Sequence, residues 1–177
     1  MNTRSLFKTG ICGISIALAV ATGCAGDSSR GVETASQSQG PRLQLGIRLS
    51  DGRWLELSDV RGTPVLLFVF ATFDMVSQAS LKALRPFVQQ HPEVLVIGVA
   101  AEPRATQLVE AWAHALDPPF VVGSNPYGKV ENGQSSLGRI EIVPTYILYN
   151  SEGYELERVT GYRSEGELEA MVRPLSR

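Results

Sequence analysis

Cysteine is nearly absent from this sequence: its 177 residues include two, Cys12 and Cys24. Both lie near the N-terminus, so the chain beyond residue 24 holds no thiol. A domain built from that part of the chain has no disulfide to stabilise it and must depend on its hydrophobic core. It also lacks the sulfur nucleophile on which disulfide exchange depends.

Histidine is equally scarce, and neither sign of charge dominates. His91 precedes a proline at a helix end and His114 lies in a predicted helix, with no second ligand at metal-like spacing. We therefore predict surface or helix-capping roles for both and no metal site. The 16 basic and 18 acidic residues do not favour nucleic acid as a partner. The stretch 123–133 lacks the phosphate-loop pattern and is predicted to be a surface loop, so no cofactor is expected.

The N-terminus has no apolar run long enough to span a membrane, since residues 11–21 fall well short of the about 20 needed. Positive residues precede this run and the small-residue sequence ATGCAG follows it, which is the layout of a secretory signal over residues 1–23. The ending resembles the lipobox of bacterial lipoproteins, which implies that Cys24 is lipidated. An ordinary signal peptide with an incidental cysteine is the alternative.

The predicted location follows from the same resemblance. In bacterial lipoproteins an aspartate just after the lipidated cysteine favours the inner membrane, and Ala25 stands here instead. We expect a periplasm-facing protein of the bacterial cell envelope, held through its N-terminal lipid to the outer membrane. Residues 24–41 are rich in Ser, Gly, Gln and Thr and are predicted to be a flexible tether.

From residue 43 onward the sequence alternates between strand and helix patterns. Apolar residues at every second position from 43 to 49 predict a half-buried strand. Unbroken apolar runs at 65–70 and 94–100 indicate strands buried on both faces, joined in parallel through a helix. Further strands are predicted at 53–57, 144–150 and 154–160, and helices begin at 74, 104 and 164. The last two strands are close enough to form an antiparallel hairpin.

For two of the helices the sequence also predicts which residues are buried. Asp74 is a suitable N-cap for the first, because its carboxylate can accept hydrogen bonds from the first turn. Leu81 and Leu84 lie on its apolar stripe, and Pro86 falls inside it, where a backbone hydrogen bond must be lost. In the second helix, over residues 104–116, Leu108, Trp112 and Leu116 are expected to form the buried side.

The order of elements and two long segments resemble a known family. The segments are LSDGRWLELSDVRGTPVLLFVFATF and, about 70 residues later, IVPTYILYNSEGYELERVTGY. They are similar to the opening and ending of the membrane-tethered thioredoxins of the TlpA/ResA type, periplasmic thiol-disulfide oxidoreductases of the redoxin group. The resemblance implies an α/β thioredoxin-like fold over residues 42–177. We expect a central mixed sheet flanked by helices, with an N-terminal β-hairpin extension.

The resemblance also shows what this sequence has lost. The family has Trp-Cys-x-x-Cys after its first long strand, and the matching positions run from Phe73 to Ser77. Asp74 and Ser77 replace the two cysteines, so the family's mixed disulfide cannot form. A peroxiredoxin-type site fails for the same reason, because it needs a reactive cysteine near Thr72. No catalytic residue is predicted.

A second family feature remains. Val143, Pro144 and Thr145 match the loop that carries the family's cis-proline, which in relatives holds the substrate backbone beside the active site. Two interpretations stay open. The loop could form a peptide-binding groove with Phe73, Asp74 and Ser77, or it could be kept for packing alone.

These features favour a lipid-anchored thioredoxin-like protein that binds an envelope protein or an extended peptide without catalysis. The alternative is a thiol-disulfide oxidoreductase or antioxidant enzyme of the envelope, with its thiols supplied by a partner. The absence of cysteine beyond residue 24 favours the first hypothesis.

Overall fold

The computed structural model describes residues 40–103 and 105–176. The predicted signal peptide (1–23), Cys24 and all but the end of the predicted tether lie outside these residues and stay predictions. Within the described ranges, no helix combines the length and apolar character needed to cross a bilayer.

The described residues form seven strands and three α-helices. The strands are β1 (Gly46–Leu49), β2 (Trp54–Glu56), β3 (Val65–Phe70), β4 (Leu95–Ala100), β5 (Val121–Ser124), β6 (Thr145–Tyr149) and β7 (Glu155–Thr160). The helices are α1 (Met75–Gln90), α2 (Ala105–Leu116) and α3 (Glu165–Val172), and a short 3₁₀ helix, Arg173–Ser176, follows. Every predicted strand and helix is present. Strand β5 was not predicted.

One mixed sheet contains all seven strands in the order β2-β1-β5-β4-β3-β6-β7. Strand β3 lies near its centre, parallel to β4 and antiparallel to β6. Its position explains why all six of its residues are apolar and buried. Strands β1 and β2 form the expected N-terminal hairpin, and β6 and β7 form the expected C-terminal one.

The two faces of β3 contribute to two hydrophobic clusters, because successive side chains of a strand point to opposite faces. Leu66, Phe68 and Phe70 belong to the cluster that contains the buried residues of all three helices. Val65, Leu67 and Val69 belong to the other, together with the N-terminal segment around Leu43 and several residues of the loop between β5 and β6. The core therefore fixes the position of β3. The site described below begins where β3 ends, after Phe70.

The predicted buried side of α2 was wrong at one position. Leu108 is 49% exposed, whereas Ala105, Val109 and Trp112 are buried. These three residues are spaced by four and three positions and so share one stripe, while Leu108 lies about 100° around the helix from Val109. Trp112 fixes this orientation by packing on Phe70, with ring centroids 4.5 Å apart.

Helix α1 continues through Pro86 to Gln90, with Leu81 and Leu84 buried as expected. Helix α3 begins with a capping box between Ser164 and Glu167. In this box the backbone N–H of Ser164 donates to Glu167 Oε2 at 2.8 Å. Both helices therefore start where their capping residues indicate.

Candidate functional site

At the start of α1, the two residues that match the family's cysteines are hydrogen-bonded to each other. Asp74 is the N-cap, and its Oδ2 accepts hydrogen bonds from the backbone N–H and the hydroxyl of Ser77, both at 2.7 Å. Ser77 is fully buried. The cap was predicted from the sequence and is confirmed; the side-chain bond was not predicted. Because its side chain is fully buried, Ser77 is poorly placed to attack a substrate.

The loop between β3 and α1 is held from two sides. Gln78 Nε2 donates to the carbonyl of Thr72 at 3.0 Å, and the backbone N–H of Thr72 donates to Glu102 Oε1 at 3.0 Å. The N–H of Asp74 donates to the carbonyl of Ala71 at 3.1 Å. These three hydrogen bonds therefore fix the position of the loop that carries Phe73.

Glu102 is the part of this site that sequence reasoning missed. It follows β4 at the carboxyl edge of the sheet, beside the end of β3, and is 6% exposed. Its Oε2 has no hydrogen-bond partner among the described residues. A buried carboxylate oxygen without a partner is costly, so Glu102 is an unusual residue for a position with only a packing role. The sequence offered only an acidic residue two positions after a buried strand, which does not reveal that its side chain is buried.

The loop before β6 meets the same edge. The Val143–Pro144 peptide bond is cis, as expected. Thr145 pairs with Val69 of β3, which places buried Pro144 beside the end of β3, where the chain leaves for α1.

Two hydrogen bonds of this loop are made by residues on either side of Val143. Thr145 Oγ1 donates to the carbonyl of Ile142 at 2.6 Å, and the carbonyl of Pro144 accepts from the N–H of Gly161 at 2.7 Å. Neither of these bonds uses the backbone of Val143, which is half-buried. The predicted groove residues on the loop therefore lie at the same edge of the sheet as Asp74 and Ser77.

Large apolar side chains are exposed around this edge. Phe73 is 74% exposed and Met75 is 81% exposed. Val76, Ile142 and Tyr162 are exposed as well. We call these five residues the apolar patch. All five lie at the start of α1, on the loop before β6 or just after β7, which are the segments that meet beside Pro144. Several exposed apolar side chains on neighbouring segments suit a binding surface.

Beneath α1, Tyr146 of β6 buries a hydroxyl that has no hydrogen-bond partner among the described residues. Nearby Ser80 donates instead to the carbonyl of Val76 at 2.9 Å. Burial raises the pKa of Tyr146 to about 12. The hydroxyl therefore stays protonated and uncharged well above neutral pH.

The other polar candidates lie elsewhere. His91 is the C-cap residue of α1 and its Nδ1 is 3.0 Å from Glu93 Oε1, while His114 is exposed near the end of α2. No group of three or more metal-ligating side chains occurs in residues 40–103 and 105–176. Cys24 lies outside the described residues.

Comparison with solved structures identifies the fold. The chain is similar to dsbF of MTB, with a TM-score of 0.66, 22% identity, and coverage of 78% of this chain and 99% of that one. The chain has the thioredoxin-like fold. A protein of Chlorobium tepidum named as the thiol:disulfide interchange protein DsbE gives a TM-score of 0.65 at 18% identity, covering 78% and 96%.

A third structure with this thioredoxin-like fold is the exposed lipoprotein thioredoxin of Streptococcus pneumoniae. It gives a TM-score of 0.63 at 20% identity, covering 74% of this chain and 98% of that one. No protein-family model and no curated protein sequence matches the chain. At these identities the likeness establishes the fold, and the activity must be argued from the site.

Proposed function

We propose that this thioredoxin-like domain is a binding module that recognises an extended segment of an envelope protein without thiol chemistry. The observation that carries the proposal is the contrast at the start of α1. Asp74 and Ser77 bond to each other, while Phe73 and Met75 beside them expose most of their apolar surface. A site organised in this way suits binding better than nucleophilic attack.

The geometry suits an extended peptide with apolar side chains. A peptide lying beside the loop before β6 could exchange backbone hydrogen bonds with Val143, as in strand addition to a sheet edge. Its side chains would then contact Phe73, at the start of α1, and Ile142, on the loop before β6. The backbone contact would supply affinity, and the apolar patch would supply selectivity.

Display of a peptide library on phage, selected against the full-length chain, tests this proposal. Selected peptides should lose at least about tenfold in affinity for Phe73→Ser, since a truncated central anchor commonly costs more than about 1.4 kcal/mol. Leu156→Ser is the matched control, because Leu156 is an exposed apolar residue of β7 outside the apolar patch. Peptides that bind both variants as tightly as the original chain would overturn the proposal.

Attachment to the envelope is a separate part of the proposal. Its support is the ATGC sequence after an apolar run, with Cys24 as the residue that would carry the lipid. We propose a periplasm-facing protein on the outer membrane. A fatty-acid probe should label the full-length chain and not Cys24→Ser, and equal labelling of both would contradict lipidation.

A thiol-disulfide oxidoreductase or antioxidant enzyme is the second candidate function. It is favoured by the names of the similar structures, which include an interchange protein and a thioredoxin. Because residues 25–177 contain no cysteine, this function would need thiols supplied by a partner. Insulin reduction by an envelope extract that falls when the full-length chain is removed, and returns when residues 25–177 are added back, would favour this function over binding.

A further inference from the structure

A cleft lies away from the apolar patch, between the β1–β2 hairpin and the loop that follows β5. Its volume is about 330 Å³. None of its lining residues belongs to the apolar patch or to the α1 start. Strands β5 and β4 separate β1 from β3, a span of roughly 14 Å at the usual strand spacing. The cleft is therefore a distinct place on the surface.

One wall of this cleft is an aromatic corner. Trp54 is 48% exposed, and its Nε1 donates to Glu56 Oε1 at 2.7 Å. The indole lies over the bare backbone of Gly46, where an added Cβ would be 2.3 Å from Trp54 Cζ2. Tyr127 meets the indole edge-on, with centroids 6.2 Å apart and planes at 62°. Trp54 is thus held in place with part of its ring surface open to solvent.

The polar part of the cleft is also held in place before any ligand arrives. Buried Asn125 donates from Nδ2 to the carbonyl of Gly46 at 2.7 Å and accepts from the N–H groups of Tyr127 and Lys129, each at 3.1 Å. Ser136 exchanges two hydrogen bonds with the backbone of Gln44, both at 2.9 Å. These bonds join the loop to β1 and to the residues just before it. Binding of a ligand would therefore not carry the entropic cost of ordering the loop.

The groups that line the cleft indicate the chemistry of its ligand. Gln44 and Gln134 each offer amide donors and an acceptor, and Ser135 offers a hydroxyl. Glu56 and Lys129 contribute one charge of each sign, so the lining selects neither for anions nor for cations. A sugar ring needs donors and acceptors for its hydroxyls and an aromatic surface for its C–H face. We infer that this cleft binds a neutral oligosaccharide, with its ring against Trp54 and Tyr127.

Tryptophan fluorescence of the full-length chain tests this inference. The chain has two tryptophans, Trp54 and Trp112, and Trp112 is buried in the core, so a sugar in the cleft should change the emission of Trp54. Cellotriose, maltotriose and the N-acetylglucosamine trimer are the probes. We expect at least one to give a saturable change, with the change abolished in Trp54→Phe.

Calorimetry with the same trisaccharides then locates the site. Tyr127→Ala, at a 72% exposed residue, and Trp54→Ala should each weaken binding by about tenfold. Leu156→Ala, at an exposed residue of β7 outside both the cleft and the apolar patch, is the control and should bind sugar within about twofold of the original chain. Failure of all three sugars to bind, or binding that survives both cleft variants, would overturn the inference. These outcomes do not depend on the peptide-binding proposal.

Discussion

Asp74 Oδ2 lies 2.7 Å from both the backbone nitrogen and the hydroxyl oxygen of Ser77. In the family that the sequence resembles, two thiols occupy these positions at the positive end of a helix. Here a carboxylate occupies the same end and accepts a hydrogen bond from the Ser77 N–H, one of the helix-terminal groups that would otherwise favour a thiolate. At the two positions that match the family's cysteines, this helix start therefore holds a carboxylate and a hydroxyl bonded to each other.

The first prediction concerns the stability of this cap. Asp74→Ala should lower the free energy of unfolding by about 1 kcal/mol, because it removes the acceptor for the Ser77 N–H. Asp74→Asn keeps an oxygen at that place and should cost less. Urea denaturation measures both, with Asp59→Ala as the control, since Asp59 lies in an exposed turn. If Asp74→Ala unfolded at the same urea concentration as the original chain, the hydrogen bond from the Ser77 N–H would contribute nothing to stability.

Glu102 provides the second prediction. Glu102→Ala removes the acceptor of the Thr72 N–H and should destabilise the domain by about 1 kcal/mol, because a half-buried donor loses its partner. Glu102→Gln keeps that acceptor and should cost less. Hydrogen exchange of the Thr72 amide should speed up in Glu102→Ala and not in Glu110→Ala, on the exposed side of α2. Unchanged protection in Glu102→Ala would contradict this role.

The third prediction is a pH dependence that originates at Tyr146. Burial raises its folded-state pKa from 10.0 to about 12, so the folded chain keeps the proton when the unfolded chain has begun to lose it. The resulting stability is fully present below pH 10 and is lost as the pH rises from about 10 towards 12. Tyr146→Phe should remove part of this decline and cost little at pH 7, since the hydroxyl has no partner. Denaturation of the original chain and of Tyr146→Phe at a series of rising pH values measures how steeply the free energy of unfolding falls with pH. Equal slopes for the two proteins would refute the prediction.

Much of the fold could be predicted because its signals are local. The apolar run of β3 followed by the capping residue Asp74 indicated a strand entering a helix, and the structure places the boundary there. Strand β5 escaped because its four residues follow two prolines and offer too short a pattern to distinguish from a loop. The position of Leu108 could not be decided either, since two overlapping apolar stripes fit α2 until Trp112 packs on Phe70.

The candidate site was predictable in part, for a related reason. Asp74, Ser77 and Pro144 could be placed through the family pattern. Glu102 could not, because its burial arises where β4 ends beside β3, and no spacing within one segment reveals that neighbour. The exposure of Met75 was equally hidden, since an apolar residue in the first turn of a helix is as compatible with burial as with display.

The central claim is that this domain keeps the framework of a thiol-disulfide site without its chemistry. Insulin reduction by a fragment beginning at residue 41 tests it most directly, beside the same fragment carrying Asp74→Cys and Ser77→Cys together. We expect no activity in the original fragment and measurable activity in the double variant, whose first thiol should have a pKa depressed by the helix N-terminus. Each single variant serves as a control, because one cysteine cannot close an intramolecular disulfide. Insulin reduction by the original fragment, or a folded double variant whose cysteines do not pair, would contradict the account.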